Sequence, residues 1–170
     1  MNCEKLIKNI DEQIKEAQLK LGFVKETMRL YYPLSSLNAI LETTIDDADK
    51  MVAMLRDKVS GFSYSHNQER IEVSVPPDYV EYVHREVKAS SFLVAIIELF
   101  QQNHHLQLEQ VKETFAKFGT YICREMPQEA DFDYVFYFED KNIDEYYYCL
   151  KLEMGHIIYH RFTRNDFEQL

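Results

Sequence analysis

Residues 132–162 read FDYVFYFEDKNIDEYYYCLKLEMGHIIYHRF, and this stretch decides the fold class. Phe132, Tyr134, Phe136 and Phe138 alternate with Asp133, Val135, Tyr137 and Glu139. That is the period of a strand, whose successive side chains point to opposite faces. Glu139 to Asp144 supplies a polar turn. Tyr146, Tyr148, Leu150, Leu152 and Met154 then alternate with Tyr147, Cys149, Lys151 and Glu153. After Gly155, HIIYHRF reads as a third strand, and Thr163 is placed to cap a short final helix at Asp166 and Phe167. Three consecutive antiparallel strands form a meander. These 31 residues hold 10 of the 23 aromatic side chains in the chain, so the strands should bury an aromatic face.

Upstream the period changes to that of helices. Ile7, Ile10, Ile14, Ala17 and Leu21 recur at spacings of three and four, which predicts one apolar stripe on a first helix stopped at Gly22. The same stepping reaches Val24 and Met28, so the stripe resembles a coiled-coil seam, although Ala17 and Gly22 are small for one. Thr27 to Tyr32 reads as a short strand or extended connector, because Pro33 biases Tyr32 away from helix. Leu34, Leu37, Ile40 and Leu41 fit a short helix. Another starts near Asp46, Asp47 and Asp49 and carries Met51, Val52, Met54, Leu55 and Val59 as far as Gly61. FSYSHNQERIEVSVPP predicts a hairpin with its polar turn at Ser65 to Gln68. Asp78 is the expected cap of the longest helix, Tyr79 to Gln102, whose FLVAIIELF half is apolar on nearly every side. A further helix runs from Leu108 to Phe118. The expected architecture is α+β, a single domain over residues 1–170. Its helical N-terminal two-thirds, with a β-hairpin, is packed on the C-terminal antiparallel aromatic meander.

Charge narrows the function classes. The chain of 170 residues carries 29 acidic and 19 basic side chains, a net of −10. Residues 1–60 have a net of −1, residues 61–125 of −3 and residues 126–170 of −6. Nucleic-acid binding needs a concentrated basic surface to displace counterions, and none is visible. Anionic membranes are disfavoured for the same reason, and no apolar run approaches the roughly 18 residues of a span. The opening MNCEKLIKNIDEQ lacks a secretory apolar core, which places the chain in the cytoplasm. Cys3, Cys123 and Cys149 are widely spaced, suggesting neither a disulfide framework nor a zinc knuckle. A basic protein partner, or self-association through the first helix, is the expected kind of contact.

Chemistry is sparsely signalled. With 4 glycines there is no GxGxxG, GxxxxGK[ST] or GxSxG, so no cofactor is expected. His104 and His105 are sequence neighbours and do not converge easily on one metal. His156 and His160 are about 13 Å apart along a strand, so no metal is expected either. The carboxylates of residues 131–145 read as solvated turn residues. One constellation remains, on the last two strands: Cys149, His160, Tyr159, Glu153 and Arg161. A four-residue turn at Gly155 places Cys149 opposite His160 and Lys151 opposite Ile158, and an imidazole beside a thiol can lower its pKa. A one-residue slip would send His160 to the other face. The plainer account is a buried cysteine acting as a small hydrophobe.

The segments MRLYYPLSSLNAIL, FDYVFYFEDKNIDEYYYCLKLE and HIIYHRFTRNDF resemble members of a bacterial domain family of unknown function over most of the chain. The resemblance implies a cytoplasmic bacterial protein with no assigned activity and no functional residues to carry over. The sequence is therefore read as a non-catalytic binding or protein-interaction module. The alternative is a small enzyme centred on the Cys149 and His160 constellation.

Overall fold

In the computed structural model, Asn2 starts the first helix by accepting from the Lys5 N–H at 3.3 Å, and α1 runs Cys3–Leu21. The structure describes residues 1–67 and 69–170, which divide into two units, Met1–Ala89 and Ser90–Leu170. In the first unit, Leu6, Ile10 and Ile14 of α1 are fully buried, while Leu21 is 85% exposed. The apolar stripe is thus rotated from the expected Ile7 to Leu21 line. It takes in Asn9 and Gln18 because both are hydrogen-bonded where they are buried. Tyr32 Oη donates to Asn9 Oδ1 at 2.9 Å, and Gln18 Nε2 donates to the Val80 carbonyl at 3.0 Å. Gly22, at φ 86°, ends the helix, so no seam continues to Val24 and Met28.

Three strands complete this unit: β1 (Met28–Pro33), β2 (Ser63–Asn67) and β3 (Arg70–Val75), antiparallel in the order β1-β3-β2. The turn expected at Ser65 to Gln68 is displaced. Ser65, His66 and Asn67 are strand residues, paired with β3 up to Asn67↔Arg70, and Gln68 lies outside the described residues. Helix α2 (Leu34–Leu41) follows β1, and α3 (Ala48–Lys58) begins where Asp47 accepts from the Lys50 N–H at 2.9 Å. Helix α4 (Pro77–Glu86) starts on the double proline instead of Asp78, with Pro77 in the first turn, where no N–H is missed. Ile71, Val73 and Val75 of β3 share a core with the α1 stripe, Leu37, Leu41, Met51, Leu55, Val80 and Val83. Each such side chain stabilises the unit by about 1.5–3 kcal/mol when fully buried.

The long helix expected over Tyr79 to Gln102 is two helices. Helix α4 ends at Glu86, Val87 turns extended, and α5 (Ser91–Gln102) starts on Ser90, whose hydroxyl accepts from the Leu93 N–H at 3.1 Å. A serine that satisfies a free helical N–H in this way favours a fresh start over a continuous helix.

In the second unit α5 and α6 (Leu108–Ala116) cover one face of a meander of four strands rather than three: β4 (Tyr121–Glu125), β5 (Tyr134–Phe138), β6 (Tyr147–Glu153) and β7 (His156–Phe162). The additional strand, YICRE, is short, charged at its end and only partly buried, so its alternation is faint. Phe92 of α5 is the hub of the core. Its ring meets Phe115 and Phe138 edge-on, each at 4.7 Å, and Phe118 and Tyr148, each at 5.4 Å. Thr163 caps α7 (Arg164–Phe167), accepting from the Asp166 N–H at 3.2 Å, as the sequence predicts. Among the described residues no helix is long and apolar enough to cross a membrane.

Candidate functional site

The β6–β7 register is the one expected from a tight turn at Gly155: Cys149 lies opposite His160, and Lys151 opposite Ile158. The turn itself is Met154 at φ 51° and Gly155 at φ 79°, the left-handed pair of a two-residue hairpin. Residues directly opposite share a face, so Cys149, Glu153 and His160 lie on one face of the sheet and Tyr159 and Arg161 on the other. The five candidates therefore do not converge. Glu153 pairs with His156 at the hairpin end, roughly 13 Å along the strand from Cys149. Cys149 is fully buried, and burial pushes its thiol up to about 12. The exposed His160 ring contacts Phe132 at 5.4 Å and Phe162 at 6.2 Å.

On the helix-covered face the structure assembles something the sequence did not announce. Asp144, read as a solvated turn residue, is 7% exposed. Its Oδ1 accepts from the Tyr146 N–H at 2.8 Å, and its Oδ2 accepts from Tyr148 Oη at 3.0 Å. Arg161 brings a guanidinium nitrogen to 3.9 Å of the carboxylate, and its Cζ lies over the Tyr146 ring, 3.6 Å from the centroid. Tyr159 packs on Phe100 at 4.5 Å and on Tyr148 at 5.9 Å. The available signal was an Asp two residues before a buried aromatic, the pattern in which a carboxylate bonds its own backbone two residues on.

The second face of the sheet is partly open. Tyr137 of β5 stacks on Tyr147 of β6 with centroids 4.3 Å apart, and Phe167 of α7 lies 4.9 Å from Tyr147. Ile122 pairs with Tyr137, and Arg124 pairs with Val135, so Arg124 is the diagonal neighbour of Tyr137 on this face. Burial raises the Tyr147 phenol, while the charges of Arg164 and Arg124 pull it back. Arg164 also pairs with Glu168 at 2.8 Å.

Three histidines come close to one another at the hairpin end. His156 Nδ1 lies 3.2 Å from the His104 carbonyl, and its ring is 6.2 Å from that of His105. Among the described residues no group of three or more His, Cys, Asp or Glu is placed to hold an ion.

These features define an α+β protein with two sheets, each built against its own helices. The chain belongs to the family described as a domain of unknown function from an E. rectale gene, DUF3877, whose model matches residues 3–170. No curated protein and no solved structure matches it.

Proposed function

We propose that this protein is a non-catalytic interaction module of the bacterial cytoplasm, binding a basic protein partner through the acidic surface of its second unit. The observation that carries this reading is a set of unneutralised carboxylates. Glu129, Asp131, Glu139 and Glu153 are exposed, and among the described residues none of them forms an ion pair. In the first unit more of the acids are matched: Glu12, Glu16, Glu42, Asp46, Glu72 and Glu81 each face a lysine or arginine, while Glu26, Glu69 and Glu86 stand exposed without an ion pair among the described residues. Uncompensated charge on one surface steers an oppositely charged partner and makes its association salt-dependent.

The enzyme alternative draws support from the Cys149↔His160 pairing, but the buried thiol and the division of the five groups between two faces weigh against it. Self-association through α1 is disfavoured because Leu6, Ile10 and Ile14 are spent inside their own unit. The free cysteines fit a reducing compartment. The family match across residues 3–170 supports both units acting as one inherited domain.

The test is titration with a lysine-rich peptide at low and high salt. The reading expects binding that weakens with salt and is lost when Glu129, Asp131 and Glu139 are all replaced by lysine. A control replaces Glu26, Glu69 and Glu86 of the first unit by lysine, giving the same net charge. Equal loss in both variants would reduce the effect to bulk charge and sink the proposal.

A further inference from the structure

We propose that the open part of the second face of the four-stranded sheet binds a small aromatic phosphate monoester, its phosphate held by Arg124 and the hydroxyls of Tyr137 and Tyr147. The proposal goes beyond the partner-binding reading and rests on other residues of the same unit.

Three observations converge on it. The first is a surplus of donors. Among the described residues neither the Tyr137 nor the Tyr147 hydroxyl hydrogen-bonds to the protein, and Arg124 has no carboxylate partner. The donors come from three adjacent strands and are gathered by the register: Arg124 on β4 diagonal to Tyr137 on β5, which stacks on Tyr147 of β6. The second is charge. In a chain of net −10, the Tyr147 hydroxyl lies within the fields of two guanidinium groups, Arg124 and Arg164. Glu168, paired with Arg164, raises that hydroxyl's pKa, and an incoming anion would compete with it for Arg164. The third is the apolar wall. Phe167 and the half-buried Ile122 and Phe162 flank the tyrosine pair, an environment for a ring rather than for a sugar or a free ion.

The chemistry selects a phosphate over a carboxylate. A carboxylate offers two oxygens, whereas a planar guanidinium fork plus two hydroxyls can serve the three terminal oxygens of a phosphate monoester. Tyrosine hydroxyls that donate to such an anion stay protonated, in keeping with a Tyr147 phenol held up by burial.

The probes are phenyl phosphate, inorganic phosphate and phenol, followed by the ring resonances of Tyr137 and Tyr147. Phenyl phosphate should shift both in a saturable way and bind about tenfold tighter than either fragment, since it alone uses both halves of the site. Arg124→Gln should weaken it about tenfold or more, the loss expected for one charge-assisted hydrogen bond. Tyr147→Phe should weaken it several-fold while leaving the fold intact, as read from the remaining amide resonances. Lys141→Gln, which removes an exposed cation elsewhere in this unit, should change nothing. Absence of a saturable shift at roughly 50 mM phenyl phosphate would overturn the proposal. So would equal losses in Arg124→Gln and Lys141→Gln, or inorganic phosphate binding as well as the ester.

Discussion

Alkylation with iodoacetamide at pH 8 separates a structural Cys149 from a catalytic one. An ordinary cysteine at 9.0 is about a tenth thiolate at that pH, whereas a thiol held near 12 is thiolate in about one molecule in ten thousand. The attacking species is therefore about a thousandfold scarcer before access is considered. Access lowers the rate further, because Cys149 is fully buried and reacts only when the sheet opens. Peptide mass mapping over time should show Cys149 modified last, well behind the exposed Cys123, although burial pushes the Cys123 thiol up as well. Mild urea should accelerate Cys149 far more than Cys123. The same thiol ties stability to pH. Its folded value lies above its unfolded one, so its stabilisation is complete below about 9.0 and is lost as pH rises towards about 12. Labelling of Cys149 in the native protein as fast as Cys123 would refute the reasoning and restore the Cys149 and His160 pair as a reactive centre.

Other perturbations test other parts of the fold. Asp144→Ala removes the buried carboxylate that faces Arg161 and accepts from Tyr148 Oη, and should cost about 3 kcal/mol, read from the urea midpoint. Met154→Asn places a residue that tolerates a positive φ in the hairpin turn and should stabilise by about 0.5–1 kcal/mol, seen as a higher melting temperature. Ser90→Ala removes the cap of α5 and should cost about 1 kcal/mol by the same assay. Deletion of residues 3–21 removes a wall of the first core and should yield insoluble protein; a soluble, folded product would show that α1 is dispensable.

Much of this was legible in sequence, for reasons that particular residues make plain. The alternation from Tyr146 to Glu153 marked the strand and its facing, whereas the Cys149↔His160 pairing followed only on condition of a tight turn at Gly155, which the structure has. Asp47 and Thr163 announced their helices because a cap is a local bond. The break at Val87 was hidden, since Lys88, Ala89 and Ser90 hold no glycine or proline and only the Ser90 hydroxyl marks the new start. β4 was hidden because an edge strand half open to solvent has little reason to alternate. The site was less legible than the fold. Burial of Asp144 depends on Arg161, and the gathering of Arg124, Tyr137 and Tyr147 depends on three strands meeting, so neither is written in local spacing.

The strand order β1-β3-β2 has a consequence for synthesis on the ribosome. β1 cannot find its partner until α2, α3, β2 and β3 have all emerged, a wait of roughly two to ten seconds at ordinary elongation rates. For that interval Leu30 and Tyr32 have no sheet to join, and closing so long a loop carries an entropic cost. The four-stranded meander has no such delay, because each of its strands pairs with the one made just before it. Local pairings form fast. The first half of the chain to be made is thus the half whose sheet must wait, with β1 an unpaired strand for that interval.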